Sequence, residues 1–187
     1  MYLSCRDDQL FIGNFLGDLL NLRETRALPA PIMEGVTLHR AIDSFTDSHP
    51  KVLAGKKVLY PAFGKYASVA LDIFFDYLLA KNWKLYSEEA LESFIEGCYV
   101  TLEARKSWIP EKVHPRVEGM LKGRFLHQYI DWPGLERTFK RVQHIMSHPE
   151  YFENPIPPLR EHEAFLNEMF LQFFPDLDKH VQQYCDC

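Results

Sequence analysis

Between Val69 and Trp83 the chain reads VALDIFFDYLLAKNW, and no other stretch limits the fold as strongly. Asp72 and Asp76 are the only acidic residues in an otherwise apolar run, and they stand four positions apart. A helix turns about 100° per residue, so Asp72, Asp76, Leu79 and Trp83 share one stripe while apolar side chains fill nearly every other direction. Such a run reads as a helix over about Val69–Trp83, and a helix that is apolar almost all round is expected to be buried. An unpaired buried carboxylate costs several kcal/mol, so each aspartate needs a partner: an arginine, a histidine, backbone N–H groups or a metal ion.

The rest of the chain also reads as helices. LFIGNFLGDLL gives a short one over Leu10–Leu20, in which Gly13 and Gly17, four apart, suit close packing against a neighbour. Pro29 and Pro31 make a break, and Pro31 fits the first turn of the next helix, which runs from about Ile32 to Asp47 and stops before His49-Pro50. A basic, looser stretch follows, KVLAGKKVLYPAFGKYA. Another helix is expected near Glu88–Lys106, and helical patterns continue through RVEGMLKGRFLHQYI and GLERTFKRVQHIM. The loop ENPIPP leads to a last helix from near Leu159, which Pro175 should break or kink. Alternating apolar and polar runs are scarce, so no strand is expected. The class is all-α, a single-domain helical bundle over residues 1–187.

Composition adds limits. Apolar residues make up 47% of the chain, including 14 Phe and 9 Tyr, enough for a real core. A formal charge of −5 argues against general nucleic-acid binding, which wants a basic footprint. No stretch is long and apolar enough to span a bilayer, and MYLSCRDDQLFIGN lacks the pattern of a signal peptide, so a cytoplasmic protein is expected. Cys5, Cys98, Cys185 and Cys187 show no framework spacing and read as reduced thiols, the last two in a frayed tail.

A second acidic strip lies in LHRAIDSFTDSHP. Leu38, Ile42 and Phe45 share a core-facing side of that helix, and His39, Asp43 and Asp47 form a strip beside it, at the border with solvent. A solvated polar face is one reading. The helix dipole weakens it: carboxylates near a helix C-terminus cost roughly 0.3–1 kcal/mol each, which suggests a compensating Lys, Arg or metal ion. Asn14 and Asp18 repeat the four-residue spacing. Several helices each delivering a carboxylate or imidazole is how helical bundles build metal sites, and this donor set suits Mn²⁺ or Mg²⁺ better than a closed zinc site. Such an ion activates water and polarises phosphoryl oxygens, with Arg40, Lys51 or Lys65 available for non-bridging oxygens. No glycine-rich phosphate loop and no G-x-S-x-G is present. His114, His127, His144, His148, His162 and His180 are scattered and read as surface or capping residues.

IGNFLGD, GVTLHRAIDSFTDSHP, LDIFFDYLLAKNW and FLQFFPDL, in this order, resemble the acyl carrier protein phosphodiesterases, a likeness that covers nearly the whole chain and is most specific over Gly35–Pro50. The resemblance implies a fold distantly like that of the HD-type phosphohydrolases. It implies Mn²⁺-dependent hydrolysis of the phosphodiester joining 4′-phosphopantetheine to a serine of acyl carrier protein. It places Asp18, His39, Asp43, Asp72 and Asp76 at the metal and water site: His39, Asp43, Asp72 and Asp76 as ligands, and Asp18, Asp43 and Asp76 in catalysis. Arg40, with Lys65, falls to the phosphate. Three departures stand out. Family members open with a segment like MNFLAHLYLS, whereas this chain opens at MYLS, so the first few family residues and their histidine are expected to be missing. The family's DHFLA reads DYLLA here, with Tyr77 in place of histidine, and an arginine pair ahead of the aspartate helix is replaced by Gly64-Lys65. The implied partner is strongly acidic, so a basic patch of Lys51, Lys56, Lys57 and Lys65 is expected to dock it. A phosphohydrolase for another small phosphoester, or a non-catalytic module that binds a carrier protein, are the alternatives.

Overall fold

The computed structural model describes residues 1–4 and 7–184; Cys5, Cys185 and Cys187, read above as thiols, lie outside them. The described residues contain helices and no strand, as the all-α reading requires. The helices are α1 (Asp8–Gly17), α2 (Leu22–Thr25), α3 (Ala30–Ser48), α4 (Pro50–Phe63), α5 (Ala67–Lys81), α6 (Leu91–Ala104), α7 (His114–Lys122), α8 (Trp132–Gln143) and α9 (Ile156–Val181), joined by short 3₁₀ turns. They fall into two compact units, the first of Met1–Ser48, Phe94–Gly123 and Phe174–Cys187, the second of His49–Ser93 and Arg124–Phe173.

In the first unit α1 packs along α3. Asp7 caps α1 by accepting hydrogen bonds from the amides of Gln9 (2.8 Å) and Leu10 (2.9 Å). The close packing expected of Gly13 and Gly17 is present. A Cβ on Gly13 would run into the Ile32 carbonyl oxygen and sit 2.7 Å from the Gly35 Cα. A Cβ on Gly17 would enter the ring of His39. Ile12, Leu16, Val36, Leu38 and Leu102 are among the fully buried side chains. Arg105 Nε donates to Asp8 at 2.8 Å, and Lys112 pairs with Glu24, whose carboxylate also closes the capping box of α2 with Asn21.

In the second unit α5 packs against α4 and α8. Phe63, Phe139 and Phe152 meet with ring centroids 5.9–6.2 Å apart, in the aromatic spacing that adds to simple burial. The basic stretch read as loose is instead helix α4. Val52, Gly55, Leu59 and Phe63 are buried at helical spacing, Pro50 occupies the first turn, and the His49 ring nitrogen accepts from the Lys51 amide at 3.3 Å. His49, a motif residue without an assigned role, is thus the cap of α4. Pro61 stands inside the last turn, and Gly64 ends the helix at φ 51°, where its amide donates to the Tyr60 carbonyl.

The break expected at Pro175 does not occur: α9 continues through it. One lost backbone hydrogen bond is outweighed by buried side chains on both sides, Phe170 and Phe173 before it and Leu177 and Val181 after it.

Candidate metal and phosphate site

Three residues of the proposed site converge in the first unit. His39 and Asp43 stand one turn apart on α3, so the geometry of a single helix sets their separation. The His39 Nε2 lies 3.1 Å from Asp43 Oδ2 and 3.5 Å from Asp18 Oδ1. Asp18 reaches this point because it closes the C-terminus of α1, and Gly17 beside it leaves room for the imidazole. The imidazole is 13% exposed, whereas the carboxylates are 79% (Asp18) and 59% (Asp43) exposed. A shielded nitrogen therefore faces two wet acids.

The other ring nitrogen fixes the tautomer. Asn14 is buried, and its Nδ2 donates to Ser4 Oγ at 3.0 Å. Its Oδ1 then faces His39 Nδ1 at 3.2 Å and accepts the proton there. With Nδ1–H committed, Nε2 is left to bridge to the acids as imidazolium or to offer its lone pair to a cation. Burial alone lowers the His39 pKa, but the hydrogen bond that its Nε2–H donates to Asp43 and the charges of Asp18 and Asp43 outweigh it, so the net shift is upward. His39 thus faces one of the acids in the second half of α3, Asp43, and no basic residue stands in the last turn of that helix. An imidazole oriented through its second nitrogen, facing hydrated carboxylates, is also how a histidine is prepared to bind a metal. Imidazole and carboxylate oxygens are donor types that a divalent ion accepts.

Arg40, next on α3, is exposed, and its guanidinium donates to Thr25 Oγ1 at 3.0 Å. Thr25 is buried and donates in turn to the Leu22 carbonyl at 3.2 Å. One side of the guanidinium is held and the rest is available to an anion.

The second unit carries the remaining candidates, and here one expectation is corrected. α5 is indeed mostly buried, but Asp72 and Asp76 are both exposed. Leu71, Phe74, Phe75 and Leu78 occupy the inward directions, which leaves the acid stripe to solvent. The need for a burial-compensating partner falls away with that. Tyr77, where the resemblance leads one to expect a histidine, lies on the buried side. Its ring meets Phe74 (5.4 Å) and Trp132 (5.1 Å), and its hydroxyl donates to Glu163 Oε1 at 3.2 Å. Burial, followed by the charge of Glu163, pushes its pKa up to about 12. Lys65 is exposed, with its ammonium 5.1 Å from the Tyr66 ring centre.

One feature of the site was missed, and one pairing outside it was not foreseen. The role of Asn14 as an orienting group was hidden because only its spacing to Asp18 is visible in sequence. His127, taken for a surface or capping residue, is paired: its Nε2 lies 2.9 Å from Glu92 Oε1, and the hydrogen bond holds the Glu92 carboxyl below its usual range. The two residues are 35 positions apart, beyond any local pattern.

The sequence profile of the acyl carrier protein phosphodiesterase family matches residues 1–177. The chain belongs to that family. Among its curated relatives, the acyl carrier protein phosphodiesterase of Photorhabdus laumondii is 24% identical over 99% of this chain and 96% of its own length. That of Pectobacterium atrosepticum is 23% identical over 94% of this chain and 91% of its own, and that of Yersinia pestis is 20% identical over 97% and 95%. No solved structure matches the chain significantly. No helix among the described residues is long and apolar enough to cross a membrane.

Proposed function

We propose that this protein hydrolyses the phosphodiester between 4′-phosphopantetheine and a serine of acyl carrier protein, using Mn²⁺ or Mg²⁺, to release apo-acyl carrier protein and free 4′-phosphopantetheine. The observation that carries the reading, in a member of this family, is the chain Ser4–Asn14–His39, which aims an oriented imidazole nitrogen at Asp43 and Asp18. His39 and Asp43 would hold the ion, with Asp72 and Asp76 as the further carboxylates that the family motif supplies. Bound there, a divalent ion lowers the pKa of water and polarises the phosphoryl oxygens.

The chain's own residues do the rest. Asn14 keeps the Nδ1 proton of His39 in place. Asp18, the most exposed of the converging acids, accepts a proton from the attacking water; Asp43 and Asp76 are the other carboxylates assigned to this task. Arg40, aligned by Thr25, and Lys65 donate to the non-bridging oxygens. Water adds to phosphorus, the bond to the serine oxygen breaks, and that oxygen takes up a proton. The phosphate stays on the pantetheine. We place the reaction in the cytoplasm, where a buried free thiol such as Cys98 stays reduced.

The test is Mn²⁺-dependent release of 4′-phosphopantetheine from holo-acyl carrier protein, followed by mass spectrometry. Asp43→Asn and Asp72→Asn should abolish release while circular dichroism keeps its helical signal. No release by the unaltered protein at any Mn²⁺ concentration would refute the reading, and full activity of Asp72→Asn would remove α5 from the site.

A further inference from the structure

We infer that the exposed face of α4 is a docking surface for an acidic protein; its partner, the acyl carrier protein, rests on the function proposed above. Between Asp47 and Asp72 the chain has no Asp or Glu, yet it carries Lys51, Lys56, Lys57 and Lys65. In a protein of net charge −5, this is a continuous cationic segment, and the fold makes it a helix rather than a loop.

The side chains on that helix are arranged in order. Its buried stripe, Val52, Gly55, Leu59 and Phe63, faces inward. On the outer side Leu53 is 50% and Tyr60 64% exposed. Seven residues apart, they lie within about 20° of each other around the axis and about 10 Å along it. Lys56 and Lys57 flank that line by about 60° and 40° on opposite sides. Lys57 is exposed and, among the described residues, makes no ion pair.

Single exposed apolar side chains need no explanation. Two on one line, one of them a tyrosine, bordered by lysines and with no acid in the segment, have the make-up of an interface: an apolar centre with a charged rim. The charge selects the partner. A surface presenting carboxylates around a small apolar contact is drawn to this face, while the chain's overall charge repels it elsewhere. A lipid surface fits less well, because a helix lying in a membrane needs a continuous apolar face, and α4 spends its own on the fold.

The experiment titrates the full chain with apo-acyl carrier protein, which has no diester to cleave, at low and high salt. Lys56→Glu with Lys57→Glu should weaken binding by about tenfold or more, slow association and flatten the salt dependence. Leu53→Ser with Tyr60→Ser should weaken it by about fivefold and leave the salt dependence intact. Circular dichroism and melting curves check that both variants fold. Unchanged affinity in both folded variants would overturn the docking surface. So would phosphatidylglycerol vesicles that bind the unaltered protein but not the lysine variant, while carrier protein binds both equally. Failure of each reading is separable: charge-dependent docking without 4′-phosphopantetheine release leaves the surface and removes the hydrolase, and release with unchanged docking does the reverse.

Discussion

Asn14 Oδ1 and His39 Nδ1 lie 3.2 Å apart, and the opposite end of the same amide is tied to Ser4 at 3.0 Å. The amide cannot turn without losing one bond, so the imidazole on α3 is held in one tautomer by a side chain of α1. Asn14→Ala should therefore lower Mn²⁺ affinity and turnover by about 10–100-fold, as loss of an outer partner of a metal-binding histidine does. Calorimetric Mn²⁺ titration beside the release assay checks this; unchanged affinity would make Asn14 a packing residue.

The His39 pKa is expected above its ordinary value in the metal-free protein, because the contributions of Asp43 and Asp18 exceed that of burial. A group whose pKa is raised on folding adds stability that is complete below its unfolded value and is lost as pH rises through the folded one. Metal-free protein should thus lose this contribution as pH climbs past about 6.5. Asp43→Asn should bring the titration back down. Imidazole NMR shifts against pH, with urea denaturation on either side of the transition, give both readouts.

Glycine positions separate tight from open helix faces. Gly17→Ala puts a methyl into the His39 ring and should cost about 1–3 kcal/mol as well as weaken Mn²⁺ binding. Gly97→Ala in α6 and Gly119→Ala in α7 meet nothing within 4 Å, and each should stabilise by about 0.5–1 kcal/mol. Urea denaturation of the three variants tests the contrast.

Tyr77→His restores the family residue but should bring no gain in turnover, because the position faces Glu163 and Trp132 on the buried side of α5. Tyr77→Phe should cost roughly 1 kcal/mol through the lost hydrogen bond and leave turnover near that of the unaltered protein. Large activation by the histidine variant would put this face in the site.

Arg40→Ala should leave the helices intact and reduce kcat/KM by about 10–100-fold, the worth of a hydrogen bond to a charged group. Arg40→Lys should recover part of this, since lysine keeps the charge without the fork. A loss of melting temperature in place of activity would make Thr25 its real partner.

Much of this was legible in the chain itself. The four-residue spacing of His39 with Asp43 and of Asn14 with Asp18 placed each pair on one face, and the Gly13–Gly17 spacing gave the close contact of α1. The misreadings share a cause. In α4, lysines, Gly55 and Pro61 masked a buried stripe of ordinary helical period. In α5, the mean apolarity of the run suggested burial on all sides, although its two aspartates occupy the one direction that stays wet. Pro175 is tolerated because packing outweighs a missing donor. The bonds from Asn14 to Ser4 and from His127 to Glu92 depend on tertiary placement, which no local period encodes.

Where Gly13 meets Gly35, α1 and α3 touch main chain to main chain, with no side chain between them at that crossing. Most helix pairs adjust by small rotamer changes between them, and at this crossing there are no side chains to adjust. The two segments that bring Asp18, His39 and Asp43 together are therefore a fixed jaw.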